Sequence, residues 1–83
     1  MKTFNDLKIG DYFYELDGQT LYRNEITHID VLGENKAFIW IDNNNCKGST
    51  LIPFTKTNKS VYKCVFVIAC ANAEDVVNVL CNS

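Results

Sequence analysis

The stretch that decides the fold is Val61–Leu80, VYKCVFVIACANAEDVVNVL. From Val61 to Cys70, Val61, Lys63, Val65, Val67 and Ala69 alternate with Tyr62, Cys64, Phe66, Ile68 and Cys70, so beyond Lys63 both parities are apolar. A strand of that composition needs cover on both faces, as a central strand has. The next residues supply a cover for one face. Asn72 is a good helix N-cap, Asp75 stands where a return bond to the cap is made, and Glu74 and Asp75 suit the positive end of a helix dipole. Ala73, Val76, Val77 and Leu80 then recur at i, i+3, i+4 and i+7, which predicts a helix over 73–81 with one apolar stripe. Isolated helices shorter than ~12–15 residues are marginal in water, so this one is expected to dock on the sheet.

Upstream, the chain reads as strands. All ten large aromatics, from Phe4 to Phe66, precede the helix, and an aromatic, β-branched body suits a sheet. Two turn signals, Gly10-Asp11 and Asp17-Gly18, place a first strand at about Asp11 to Leu16 and a second at about Gln19 to Val31. In the second, Tyr22 and Ile26 share one parity while Ile29 and Val31 take the other. That switch is what a bulge or a sharp bend produces, or else two shorter strands. Gly33–Asn35 supplies a turn, and Lys36–Asp42 (KAFIWID) is a third strand. The segment from Asn43 to Ser60 is rich in Asn, Ser, Thr and Lys, with an apolar island Leu51–Phe54 that fits a short edge strand because it contains Pro53. The expectation is a mainly β domain spanning residues 1–83. It has a small bent antiparallel sheet of four to five strands, an SH3-like or partly open barrel, closed by one C-terminal helix.

The opening FNDLKIGDYFYELDG (Phe4–Gly18) and the ending VFVIACANAEDVVNVL (Val65–Leu80) resemble those of small SH3-like β-proteins encoded by phages and gut bacteria. Those proteins start with a Leu-Lys-hydrophobic-Gly-Asp turn into the first strand and end on a strand and a short helix. The resemblance covers roughly the first and last 20 residues. It implies the fold and an accessory protein of a phage or mobile element, and it carries no catalytic residue over.

Composition narrows the function classes. At 47% hydrophobic and 22% charged the chain is globular, and 83 residues bury only a thin core. The longest apolar run, Cys64 to Ala71, is eight residues, far short of the ~20 that cross a membrane. The start MKTFNDLKIGDY lacks the apolar core of a secretory signal. No CxxC spacing joins Cys46, Cys64, Cys70 and Cys81, and Cys64 and Cys70 fall in one extended run, too far apart to bond. Cys64, Cys70 and Cys81 read as buried thiols, and a cytoplasmic location follows.

Chemistry is sparse. His28 is the sole histidine, so a Cys-His pair requires Cys46, beside Lys47, to meet it in space. The acids show no DxD or ExxE spacing and read as solvated, which leaves no metal site, cofactor site or catalytic pair. The glycines, isolated at expected turns, form no phosphate loop. In YFYEL, Tyr12 and Tyr14 share one face and Phe13 and Glu15 the other. Tyr22 and Trp40 joining either face would make an aromatic cage for a cation, although a small domain needs most aromatics for its core.

Charge is the remaining signal. Residues 1–42 carry a net −4 and residues 43–83 a net +2, with no acid between Asp42 and Glu74. Long polar connections in compact domains are often functional. The expectation is therefore a non-enzymatic binding module that meets a protein partner or a small anionic ligand. Lys47, Lys56 and Lys59 would supply charge, and Ser49, Thr50, Thr55 and Asn58 hydrogen bonds. Nucleic acid bound along 43–63, with Tyr62 or Trp40 stacking, is the alternative, although a total charge of −2 argues against broad DNA coating.

Overall fold

A computed structural model describes residues 2–53, 59–62 and 67–81, with the backbone alone for 59–62. Six antiparallel strands form one sheet: β1 (Tyr12–Asp17), β2 (Thr20–Leu32), β3 (Asn35–Asp42), β4 (Lys47–Pro53), β5 (Lys59–Tyr62) and β6 (Val67–Cys70). A helix, α1, follows over Ala73–Cys81. The strand order is β4-β3-β2-β1-β6-β5. Consecutive strands β4 and β5 thus form opposite edges. Pro53 and Lys59 are six Cα–Cα steps apart in sequence, a reach of at most about 22 Å, whereas a flat six-stranded sheet separates its outer strands by roughly 24 Å before any offset along the strands. The sheet is accordingly curled into a half-barrel.

The bend is written in β2. Its first half pairs with β1, from Thr20 opposite Asp17 to Glu25 opposite Tyr12, and its second half pairs with β3. Immediately after the overlap the register slips: Ile26 opposes Trp40 and His28 opposes Ile39, leaving Thr27 as the extra residue. The parity switch between Ile26 and Ile29 is therefore a bulge inside one 13-residue strand, which increases local twist. Turn chemistry sets the hairpin registers. Asp17 pairs with Thr20, so the loop is Gly18-Gln19, one residue later than the sequence pattern suggested. Gly18 alone has positive φ (+61°), the pattern of a type II′ turn.

The apolar run from Val61 to Cys70 is not one strand. It is the hairpin β5–β6, with Tyr62 opposite Val67, which brings the count to six. No Gly, Pro, Asn or Asp marks the connection, so the sequence carried no turn signal there. The separation inferred from sequence for Cys64 and Cys70 involves Cys64, which lies outside the described residues. Cys70 is buried, and Cys46 and Cys81 are exposed free thiols, Cys81 contrary to its apolar pattern. Gly48 is likewise not at a turn but within β4.

The half-barrel interior is filled at one end by Phe4, Phe13 and Phe38, whose ring centroids lie 5.6–6.5 Å apart, with Leu7, Ile26 and Ile52 around them. Phe4 is carried by a 3-10 turn (Phe4–Asp6). The Asp6 carboxylate accepts the Thr3 backbone N–H at 2.8 Å and its hydroxyl at 3.1 Å, which holds the Asp6 carboxyl below its ordinary value. Asn72 ties down the same segment: its Oδ1 accepts Lys2 N–H (3.0 Å) and its Nδ2 donates to Lys2 O (2.6 Å). Helix α1 packs on β1 and β6, where Leu16 and Cys70 are buried with outward parity. It docks through Asn72, Asp75, Val76 and Val79. Val77 and Leu80 are 57% and 47% exposed, so the stripe is turned by one residue from the apolar pattern. The reason is physical: Nδ2 of Asn72 also donates to the Asp75 carboxylate (3.1 Å), giving the helix start a polar seat. Among the described residues no helix is long and apolar enough to cross a membrane.

Candidate functional site

Two residues further along each strand, the interior changes character. Phe13 gives way to Glu15 on β1, Ile26 to Asn24 on β2, Phe38 to Trp40 on β3 and Ile52 to Thr50 on β4. Glu15 is 9% exposed. Its Oε1 accepts the Asn24 amide at 2.5 Å and the Thr50 hydroxyl at 3.4 Å, and Thr50 Oγ1 in turn accepts the Trp40 indole N–H at 2.9 Å. Burial pushes the Glu15 carboxyl above its ordinary value of 4.5, opposed by the hydrogen bonds from Asn24 and Thr50. The ion pairs among the described residues, Lys2–Asp11 and His28–Asp30, leave Glu15 without a cationic partner. Asn24 is fully buried, and its Oδ1 has no hydrogen-bond partner.

One layer further, the barrel opens. A cavity of about 360 Å³ is lined by Glu15, Asp17, Tyr22, Trp40, Asp42, Cys46 and Val67; Glu15 and Asp42 are buried there, whereas Asp17 and Cys46 are exposed. Asp42 is only 8% exposed, and its Oδ1 accepts the backbone N–H groups of Asn44 (2.8 Å) and Cys46 (2.9 Å). These bonds, with Asn45 at φ +63°, build the β3–β4 turn. The amide-rich run after Asp42 is thus turn chemistry. Gly48 fixes the indole. A Cβ there would lie 2.6 Å from Trp40 Cζ2, so only glycine lets the ring lie against β4.

The two described hydrogen bonds of each buried carboxylate fall on one oxygen, Oε1 of Glu15 and Oδ1 of Asp42. The second oxygen of each has no hydrogen-bond donor among the described residues. A larger hollow of about 390 Å³ lies between the N-terminal segment, β1 and the start of α1. There Asp11 already meets Lys2 (3.6 Å) and Lys8 N–H (2.9 Å), and Asn72 is taken up by Lys2.

The residues expected from sequence are dispersed. Lys47 and Ser49 are exposed on the outer face of β4, whereas Thr50 points inward to Trp40 and Glu15 and does not share their surface. Thr55, Lys56 and Asn58 lie outside the described residues, as does the side chain of Lys59. Cys46 reaches the cavity, but His28 is exposed on β2 beside Asp30 and does not line it. Tyr22 and Trp40 join the Glu15 face; Tyr12 and Tyr14 do not. Glu15, Asp17 and Asp42, read from sequence as solvated, line the site. The signal was parity, since Glu15 alternates with Phe13 and Asp42 with Trp40 and Phe38. Comparisons with protein-family models, curated proteins and solved structures give no match.

Proposed function

We propose that this protein is a small non-enzymatic binding module that receives one group of a ligand or protein partner in the mouth of the half-barrel. The observation that carries the reading is Glu15, a buried carboxylate with no cationic partner among the described residues, set in the wall of an aromatic-lined cavity. A buried charge without a counter-charge opposes folding, and such groups concentrate at functional sites. The cavity volume lies within the roughly 300–1,000 Å³ of small-ligand sites. Exposed free thiols at Cys46 and Cys81 support a cytoplasmic, reducing location, and the resemblance to phage-encoded proteins supports an accessory role.

The test is a fragment screen by 1H–15N correlation spectra. Hits are expected to move the Trp40 indole together with the amides of Tyr22 and Cys46. Hits confined to other surfaces would overturn the reading. Exposed Lys47 and Ser49 on edge strand β4 favour a second reading, an anionic ligand or nucleic acid held there. Salt-dependent binding of a polyanion, lost in Lys47→Glu, would select it over the mouth.

A further inference from the structure

Resting on the mouth as the binding site, we propose that its occupant is an alkylammonium group that donates N–H bonds to Glu15 and Asp42. Four features of the cavity select this class. Two buried carboxylates each present an oxygen without a described donor, so the missing partner is a hydrogen-bond donor. No described lysine, arginine or histidine neutralises either one, so that donor is cationic. Tyr22 and Trp40 supply two π-faces, which attract a cation further once water is excluded. Third among the acids, Asp17 at the rim adds to the negative field that draws a cation in and repels an anion.

The same geometry disfavours a bare metal ion. Among the described residues no three His, Cys, Asp or Glu side chains converge as a metal site requires. Carboxylates spread around an aromatic cavity suit an organic cation, whose charge sits on a bulky, partly apolar group. An alkylammonium group reaches such a site either as a free amine or as the side chain of a protein lysine, and both present the same N–H donors.

The probes are n-butylammonium chloride, its neutral isostere n-butanol and Nα-acetyl-lysine N-methylamide, titrated into the intact chain at constant ionic strength. The reporter is the indole N–H of Trp40, the single tryptophan. Saturable shifts with n-butylammonium, at least tenfold weaker binding of n-butanol, and a tenfold loss in Glu15→Gln are expected. Asp17→Asn, at an exposed rim position, should weaken binding about threefold and serves if Glu15→Gln does not fold. Tighter binding of the lysine derivative than of n-butylammonium assigns the cation to a protein side chain; weaker binding assigns it to a free amine. Equal shifts from n-butanol and n-butylammonium would overturn the ammonium assignment and leave the mouth as the site. If neither these probes nor fragments move Trp40, the mouth itself is not the site and both readings fall.

Discussion

Replacing Glu15 by Gln should stabilise the protein at neutral pH. The change is nearly isosteric, and a Gln Oε1 can still accept from Asn24 and Thr50, so packing and both hydrogen bonds survive. What disappears is a charge that is 9% exposed and has no cation beside it among the described residues. Charge-assisted bonds from Asn24 and Thr50 offset part of the desolvation, which leaves a net gain of about 1–2 kcal/mol for the variant. For a domain of this size 1 kcal/mol moves Tm by roughly 4–8 °C. The pH dependence follows from the direction of the shift. Because burial raises the folded-state pKa of an acid, the native state binds more protons than the unfolded chain between 4.5 and the folded value. Stability of the wild type therefore falls as pH rises through that window, whereas the Glu15→Gln variant, with no carboxyl to titrate there, keeps its stability. Thermal melts of both proteins from pH 4 to 8 should nearly coincide at the acid end and diverge above 4.5, the variant melting higher. Parallel curves, or a variant that melts lower at pH 7, would refute the reasoning.

Other substitutions separate the helix orientations and the roles of core and wall. Val76→Asp should destabilise by roughly 3 kcal/mol or more, whereas Val77→Asp should stay within about 0.5 kcal/mol, read by urea denaturation. Gly48→Ala forces a methyl into the Trp40 ring and should lower stability by about 1–3 kcal/mol with an altered near-UV spectrum from the indole. Phe13→Ala opens the ring cluster with Phe4 and Phe38 and should lose about 3–5 kcal/mol in the same assay. Brief alkylation of the native protein, mapped by mass spectrometry, should modify Cys46 and Cys81 and spare Cys70.

Much of the fold was legible because local chemistry and global structure agree. The glycine turns, the parity switch at Thr27, the edge strand ending at Pro53 and the helix over 73–81 each leave a mark in sequence. The β5–β6 hairpin left none, since no turn residue stands in the sequence between Tyr62 and Val67. Helix orientation was misread because hydrophobicity favoured Val77 and Leu80, while the polar seat of Asn72 and Asp75 fixed the docking face. The site was less legible still. Acids are ordinarily solvated, and a buried one is exposed only by its alternation with core residues. Curling then brings Glu15 from β1, Trp40 from β3 and Thr50 from β4 together, a juxtaposition that no linear spacing encodes.

The most direct measurement is the titration of the Glu15 side-chain carboxyl by 13C NMR, free and with saturating n-butylammonium, with Asp17 and Asp42 resolved as separate signals. In the free protein Glu15 should titrate above 4.5, because burial raises it, and the bound ammonium should pull it down by favouring the ionised form. A Glu15 that titrates at or below 4.5 and does not respond to the amine would contradict both its unpaired burial and its place in a cation site.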